Sequence, residues 1–296
     1  ALSEAKAGGS PEVRSSRPVR LFEIRNMKQS SSWLHAAAVY TDPRAVVLFF
    51  LGFSAGVPIM LIFSSLSLWL SEAGVSRDMV TMFSWAALAY SFKFVWAPLI
   101  DSLPLPVLGR LGWRRSWLLL SQAAVASAIV WMAMVDPAQP GALAMMAAAA
   151  VMLGFSSATQ DVVIDAYRIE AAGDDTAMQS VTSATYNAGY RVGMIVSGAG
   201  ALYAAETLGS KSGHYVYAAW QQTYFLMAAV MAVGMATVLL MREPEVAARA
   251  DKRRSLADSL RLIVLFLGSV SAFAAMFSWF GGLFSKQDDA LLGLLV

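Results

Sequence analysis

Cysteine is absent from this 296-residue chain, and histidine occurs only as His35 and His214. The first absence excludes disulfide frameworks, thiolate metal sites and cysteine nucleophiles. Both histidines lie outside the long apolar runs. A histidine-ligated metal inside an apolar bundle is therefore not expected, and no other cofactor is called for. Charge is scarce as well. Charged residues make up 14% of the chain and apolar residues 57%, where a soluble domain carries about 25% and about 45–50%. So few charges cannot cover so much apolar surface in water. The composition points to an all-α integral membrane protein with the lipid bilayer as its surroundings, and no nucleic-acid partner is expected.

Six apolar segments are each long enough to span, at residues 46–70, 79–100, 116–135, 142–164, 181–205 and 217–241, with a seventh at 260–280. Their continuity, without two-residue alternation, favours helices over a barrel. Residues 1–44 form a polar, basic arm without the apolar h-region of a secretory signal, with room for a surface amphipathic helix at 19–28. The divisions expected are this arm, a six-helix unit at 45–241, a basic linker at 242–259 and a helix pair beginning at 260. The chain starts with Ala1 and ends on the apolar run 291–296. Six residues are too few to span, which needs about 20, so a longer parent chain is expected.

Basic residues set the orientation. Seventeen fall before the first segment or in the even-numbered loops, and three (Arg77, Lys211 and Lys286) fall on the other side. The positive-inside rule then puts the N-terminus and the even loops in the cytoplasm.

Charges inside the spans are the first functional candidates, because each is costly at mid-membrane. Lys93 lies in the second segment, Asp161 and Asp165 toward the cytoplasmic end of the fourth, and Arg191 near the middle of the fifth. Asp161 and Asp165 share a helix face, as do Asn187 and Arg191. They are expected to turn inward, toward one another or a wet cavity; the plainer reading is a set of buried ion pairs that orient helices. Gly52 and Gly56 in the first segment, and Gly189 and Gly193 in the fifth, form GxxxG stripes that let backbones approach. Pro58 is expected to kink the first helix, since it deletes an intrahelical hydrogen bond.

The loop after the second segment carries Asp101, then Gly109, Gly112, Arg114 and Arg115. It resembles the loop-2–3 signature of the major facilitator superfamily, with a longer spacing between the aspartate and the basic pair. In that superfamily the loop latches the cytoplasmic gate, which implies a gating role for Asp101, Arg114 and Arg115. The runs Leu51–Pro58, Phe92–Asp101, Ser156–Tyr167 and Gly189–Met194 look like the corresponding stretches of AmpG-type muropeptide permeases, and the likeness extends over about residues 45–245. It implies the N-terminal six-helix half of a bundle, plus the start of an inserted helix pair. It further implies proton-driven import of anhydromuropeptides across the bacterial inner membrane for cell-wall recycling, with a role in β-lactamase induction. The partners implied are the muropeptide, protons and a C-terminal half of the same transporter.

On that reading Gln160, Asn187, Tyr190, Arg191 and Lys93 contact substrate. Gln160 and Asn187 can each donate and accept, and the Arg191 fork suits carboxylates. Asp161 is the favoured proton carrier, with Asp165 as a relay one turn nearer the cytoplasm. An acyl-CoA or other solute transporter of the same superfamily is the alternative. A membrane-embedded transferase stands further off, because carboxylates and hydroxyls alone remain to serve it; the chain is read as a transporter and not an enzyme.

Overall fold

A computed structural model describes residues 39–83, 88–101, 105, 108–244 and, further on, 260, 261, 264, 265, 267–272, 275, 276 and 279. The arm before residue 39, with its proposed helix at 19–28, the linker at 245–259 and the apolar end at 291–296 lie outside the described residues.

The described residues are nearly all helical. Helix α1 is Pro43–Glu72. α2 comes in pieces, Arg77–Phe83, Leu88–Phe92, a 3-10 turn at Lys93–Val95, and Ala97–Ile100. α3 is Trp113–Ala133, α4 is Ala142–Ala172 and α6 is Tyr217–Leu240. α5 runs over Thr176–Ile195 and on through Val196–Gly200 into Ala201–Thr207. The described residues between 260 and 279 are helical too. Consecutive helices are joined by short turns and so lie as antiparallel neighbours.

Among the described residues α1, α3, α4 and α6 are long and apolar enough to cross a membrane. α5 has the length without the hydropathy, since Gln179, Ser180, Ser183, Asn187 and Arg191 lie along its first half. α4 runs eight residues past the apolar segment that marks it in the sequence, reaching Ala172 instead of 164. Hydropathy registers only the part inside hydrocarbon, whereas the helix continues through Asp165, Arg168 and Glu170 into the polar fringe. The expected disturbance at Pro58 takes a specific form. The proline stays inside the helix, and the next turn widens to a π turn at Leu61–Ser65. Proline supplies no N–H and crowds the carbonyl four residues back, and wide turns are one way a helix absorbs such a fault.

α1 and α5 pack backbone to backbone. A Cβ at Gly52 would run into the Tyr186 carbonyl, one at Gly56 into that of Tyr190, one at Gly189 into that of Phe49, and one at Gly193 into that of Phe53. Both GxxxG stripes are therefore used, against each other. The wide turn of α5 faces that of α1: Ser65 Oγ donates to the Ser197 carbonyl at 2.8 Å.

Two apolar clusters fill the bundle. One, at the end near the α1–α2 turn, centres on Trp69, which stacks on Trp220 with ring centroids 5.7 Å apart and planes 3° from parallel. Glu72 ties that end together, accepting from Trp220 Nε1 at 2.7 Å and Ser210 Oγ at 2.5 Å. The other cluster holds Leu48, Trp96, Trp117 and Val238 at the opposite end, beneath the polar residues described next.

Candidate functional site

The charged residues of α2 and α4 meet inside the bundle. Lys93 Nζ stands 3.8 Å from Asp161 Oδ2 and 3.5 Å from Asp165 Oδ2. One ammonium thus bridges two carboxylates spaced one turn apart on α4, which is what the four-residue spacing allows. Asp165 is also held by Arg168 at 3.3 Å, and Arg168 in turn donates to Ser183 Oγ on α5 at 3.0 Å. Asp161 is the deeper carboxylate, its side chain 11% exposed against 43% for Asp165.

Tyrosines complete this group. Tyr90, Tyr186 and Tyr190 all stand within electrostatic reach of Asp161. The Tyr186 hydroxyl is 3.5 Å from Asp161 Oδ1, and the Arg168 guanidinium lies over the Tyr186 ring at 5.8 Å. Tyr90 donates to Ser157 Oγ at 2.6 Å. Lys93 sits on the 3-10 turn that interrupts α2, and such turns inside a helix often mark hinges.

The other sequence candidates divide. Gln160 is fully buried and faces away from Lys93, because adjacent residues on a helix point about 100° apart. Its Nε2 donates to Ser54 Oγ at 3.0 Å, and Gln122 Nε2 does so at 3.3 Å. The amide oxygens of both glutamines are buried without a hydrogen-bond partner among the described residues. Asn187 and Arg191 lie exposed on α5, with Asn187 Nδ2 donating to the Ser183 carbonyl at 2.9 Å. Lys93, and not Arg191, is the cation that meets Asp161.

A second polar assembly closes the end of the bundle at Asp101. Arg114, with 5% of its side chain exposed, donates through Nη1 to Asp101 Oδ1 at 2.6 Å. Its Nε and Nη2 grip both oxygens of Glu170, at 2.9 and 2.6 Å. This two-pronged fit is the geometry a guanidinium fork favours. Glu243, just after α6, accepts from the backbone N–H groups of Arg114 at 2.7 Å and Arg115 at 3.1 Å, capping the start of α3. Arg115 returns the contact, donating to the Val238 and Leu239 carbonyls at 3.0 and 2.7 Å in the last turn of α6. An acid thus meets a helix N-terminus and a base a helix C-terminus, each complementing the local dipole. Gly112 makes this possible: its φ is +114°, and a Cβ there would come within 2.5 Å of Glu243 Oε2.

Despite the longer spacing, Asp101 and Arg114 are brought into contact, with Arg115 beside them on Glu243. Their partners Glu170 and Glu243 were not singled out in the sequence. The one signal for Glu170 is its place on α4, nine residues beyond Asp161; Glu243 carries only the mark of an acid directly after an apolar span. Among the described residues no group of three or more His, Cys, Asp or Glu side chains could hold a metal.

The sequence matches the Major Facilitator Superfamily over residues 31–295, and the chain belongs to that superfamily: it is a multi-pass membrane protein of a transporter family. Among individual proteins it is 33% identical over 256 residues to Putative transporter AmpG 4 of Rickettsia felis, covering 86% of this chain and 59% of that protein. It is 35% identical over 206 residues to the Anhydromuropeptide permease of Escherichia coli K12, covering 70% and 39%. Putative transporter AmpG 3 of Rickettsia prowazekii is 30% identical over 236 residues, covering 79% and 53%. The chain therefore spans between two fifths and three fifths of the length of these curated relatives.

Proposed function

We propose that this chain is the N-terminal half of a proton-driven importer of anhydromuropeptides in the bacterial inner membrane, serving cell-wall recycling and thereby β-lactamase induction. It transports and does not transform its cargo. The observation that carries the reading is the Lys93 bridge to Asp161 and Asp165, set within a bundle whose α5 turns polar residues outward. A polar face on a membrane helix is costly against lipid. It suits one wall of a wet pathway, with a second six-helix half as the other wall, the arrangement in which transporters of inverted repeats bind cargo near midplane.

Asn187, Tyr190 and Arg191 are assigned to cargo on that face, with Lys93 and Gln160 reached as the helices part. Asp161 carries the proton and Asp165 passes it on. Mid-membrane depth favours the neutral form of any carboxylate and a neighbouring cation the charged form, so moving Lys93 between its two partners is a means of loading and unloading Asp161. The Asp101–Arg114–Glu170 assembly, with Arg115 and Glu243, is the cytoplasmic gate latch, and the N-terminus is cytoplasmic.

The test is uptake of labelled anhydromuropeptide by vesicles bearing the full-length protein. One charge crossing about 100 mV releases about 2.3 kcal/mol, and about 1.4 kcal/mol is tenfold. One proton then supports roughly fiftyfold accumulation of a neutral cargo, less for an anionic one. An uncoupler is expected to abolish accumulation while leaving downhill exchange. Accumulation indifferent to the uncoupler, or chemical change of the cargo by the purified protein, would overturn this reading.

A further inference from the structure

Asp165 is served by two cations. Lys93 Nζ stands 3.5 Å from its Oδ2, and Arg168 Nη2 donates to its Oδ1 at 3.3 Å. Arg168 follows Asp165 by three residues, so both lie on one face of α4. Its guanidinium is a rigid planar fork of five N–H donors that stays charged, and one such group can hold two partners in a fixed relation. The second partner is on α5, where Ser183 Oγ accepts from Nη1 at 3.0 Å. The same guanidinium lies over the Tyr186 ring at 5.8 Å, and the Tyr186 hydroxyl stands 3.5 Å from Asp161 Oδ1. Arg168 thus joins the α5 turn 183–186 to the carboxylate pair of α4.

That turn also leads to the cargo face. Asn187 Nδ2 donates to the Ser183 carbonyl at 2.9 Å. A ligand that takes the Asn187 amide breaks a bond to the residue on which Arg168 is anchored. From Asn187 the polar contacts run through Ser183, Arg168, Asp165 and Lys93 to Asp161, each link 3.8 Å or shorter. A chain of contacts transmits nothing unless one member has two discrete arrangements. Lys93 is that member, since it has a carboxylate on either side. The cluster balances two carboxylates with two cations. With Arg168 on Asp165, Lys93 is free to serve Asp161. With Arg168 drawn away, Asp165 claims Lys93 and Asp161 is left without a cation. A carboxylate so left in apolar surroundings takes up a proton.

We propose that Arg168 is the positioning residue that couples cargo to proton. Cargo on Asn187 shifts the 183–187 turn, the turn draws Arg168 off Asp165, and Lys93 moves over and lets Asp161 load. The roles of Asn187 and Asp161 rest on the function proposed above; the linkage of Ser183 to Asp161 through Arg168 does not.

The experiment uses the full-length protein. In vesicles, Ser183→Ala and Arg168→Lys should keep downhill exchange of labelled anhydromuropeptide. Uphill accumulation should fall about tenfold or more, the fold-change that about 1.4 kcal/mol corresponds to. Arg168→Lys separates coupling from plain charge balance. Lysine still neutralises Asp165 but, as a compact point charge, does not fork to Ser183. Normal accumulation in Arg168→Lys would make Arg168 a counter-ion only and overturn the proposal, as would normal accumulation in Ser183→Ala. Melting temperatures of the purified protein without cargo read the linkage itself. The shift caused by Ser183→Ala should differ between the wild type and Asp161→Asn, and that difference should vanish in the Arg168→Gln background. Additive shifts would overturn this proposal alone. Wild-type vesicles that accumulate no cargo would overturn the function proposed above, and the cargo end of this inference with it.

Discussion

At the scale of single residues, the pairing of one lysine with two carboxylates decides what each substitution should do. Asp161→Asn leaves Lys93 its contact with Asp165 at 3.5 Å. No charge is orphaned, so the protein should fold and bind cargo normally while losing uphill accumulation. A fall in melting temperature and binding together would instead make Asp161 a structural counter-ion. Lys93→Met is the converse. It strips the deeper carboxylate of its cation, and breaking a buried pair from one side typically costs about 3–5 kcal/mol; the 32% exposure of the Lys93 side chain puts the expected loss at or below the lower figure. Pairing with the Asp161→Asn change should recover most of it, which a double-mutant cycle on melting temperature would measure. That Lys93 and Asp161 turn inward was legible in the sequence, because charge inside an apolar run is costly against lipid. Their pairing was not: Lys93 and Arg191 were equally good partners on paper, and only the packing of α2 against α4 separates them. Nor did the sequence tell Gln160 from Asp161 by direction, although their 100° separation sends one to Ser54 and the other to Lys93.

At the scale of elements, spacing was the more informative signal. GxxxG at Gly52/Gly56 and Gly189/Gly193 announces close backbone contact, and the α1–α5 crossing is where both stripes are spent. Which stripe meets which is a matter of tertiary packing and carries no local mark. Gly56→Ala should therefore destabilise by the cost of overpacking, about 1–3 kcal/mol, since its Cβ would collide with the Tyr190 carbonyl, a backbone atom that cannot rotate away. Gly109→Ala, where a Cβ meets nothing within 4 Å, should stay within about 0.5 kcal/mol. Equal melting temperatures for the two would mean that α1 and α5 do not approach as described. The helix ends were less legible. Hydropathy follows hydrocarbon and not hydrogen bonding, so it stopped α4 at 164 and treated α2 as an even segment, whereas α4 continues to Ala172 and α2 breaks at Lys93–Val95. The latch shows the same limit. Asp101, Arg114 and Arg115 lie close in sequence, but Glu170 and Glu243 arrive from 56 and 129 residues beyond Arg114, a distance no local motif bridges.

At the scale of the whole molecule, the bias of seventeen basic residues to three bears on every functional statement, because it decides which end of the bundle is the gate. The structure groups Asp101, Arg114, Arg115, Glu170 and Glu243 at one end and Glu72, Ser210 and Trp220 at the other, and the charge bias assigns the first of these ends to the cytoplasm. Orientation is therefore the proposal on which import, proton direction and latch all depend. It is testable by placing single cysteines in this chain, which has none of its own. Gly109→Cys suits the Asp101 end, as its side chain would stand in open space, and Gly112→Cys does not, since it would force a strained backbone and displace Glu243. Ser212→Cys suits the other end, on the exposed turn between Lys211 and His214. In intact cells an impermeant maleimide should label the cysteine at 212 and leave the one at 109 untouched until the membrane is opened, while a permeant reagent should block both. The positive-inside rule predicts this pattern because each arginine or lysine on the far side would have had to cross against the membrane potential during insertion. Labelling at 109 alone would reverse the bundle, turn the latch outward and make Asp165 the entry for the proton and not its exit. Labelling at both would mean an even number of helices between α2 and α5 is wrong, and the six-helix reading would fall with it.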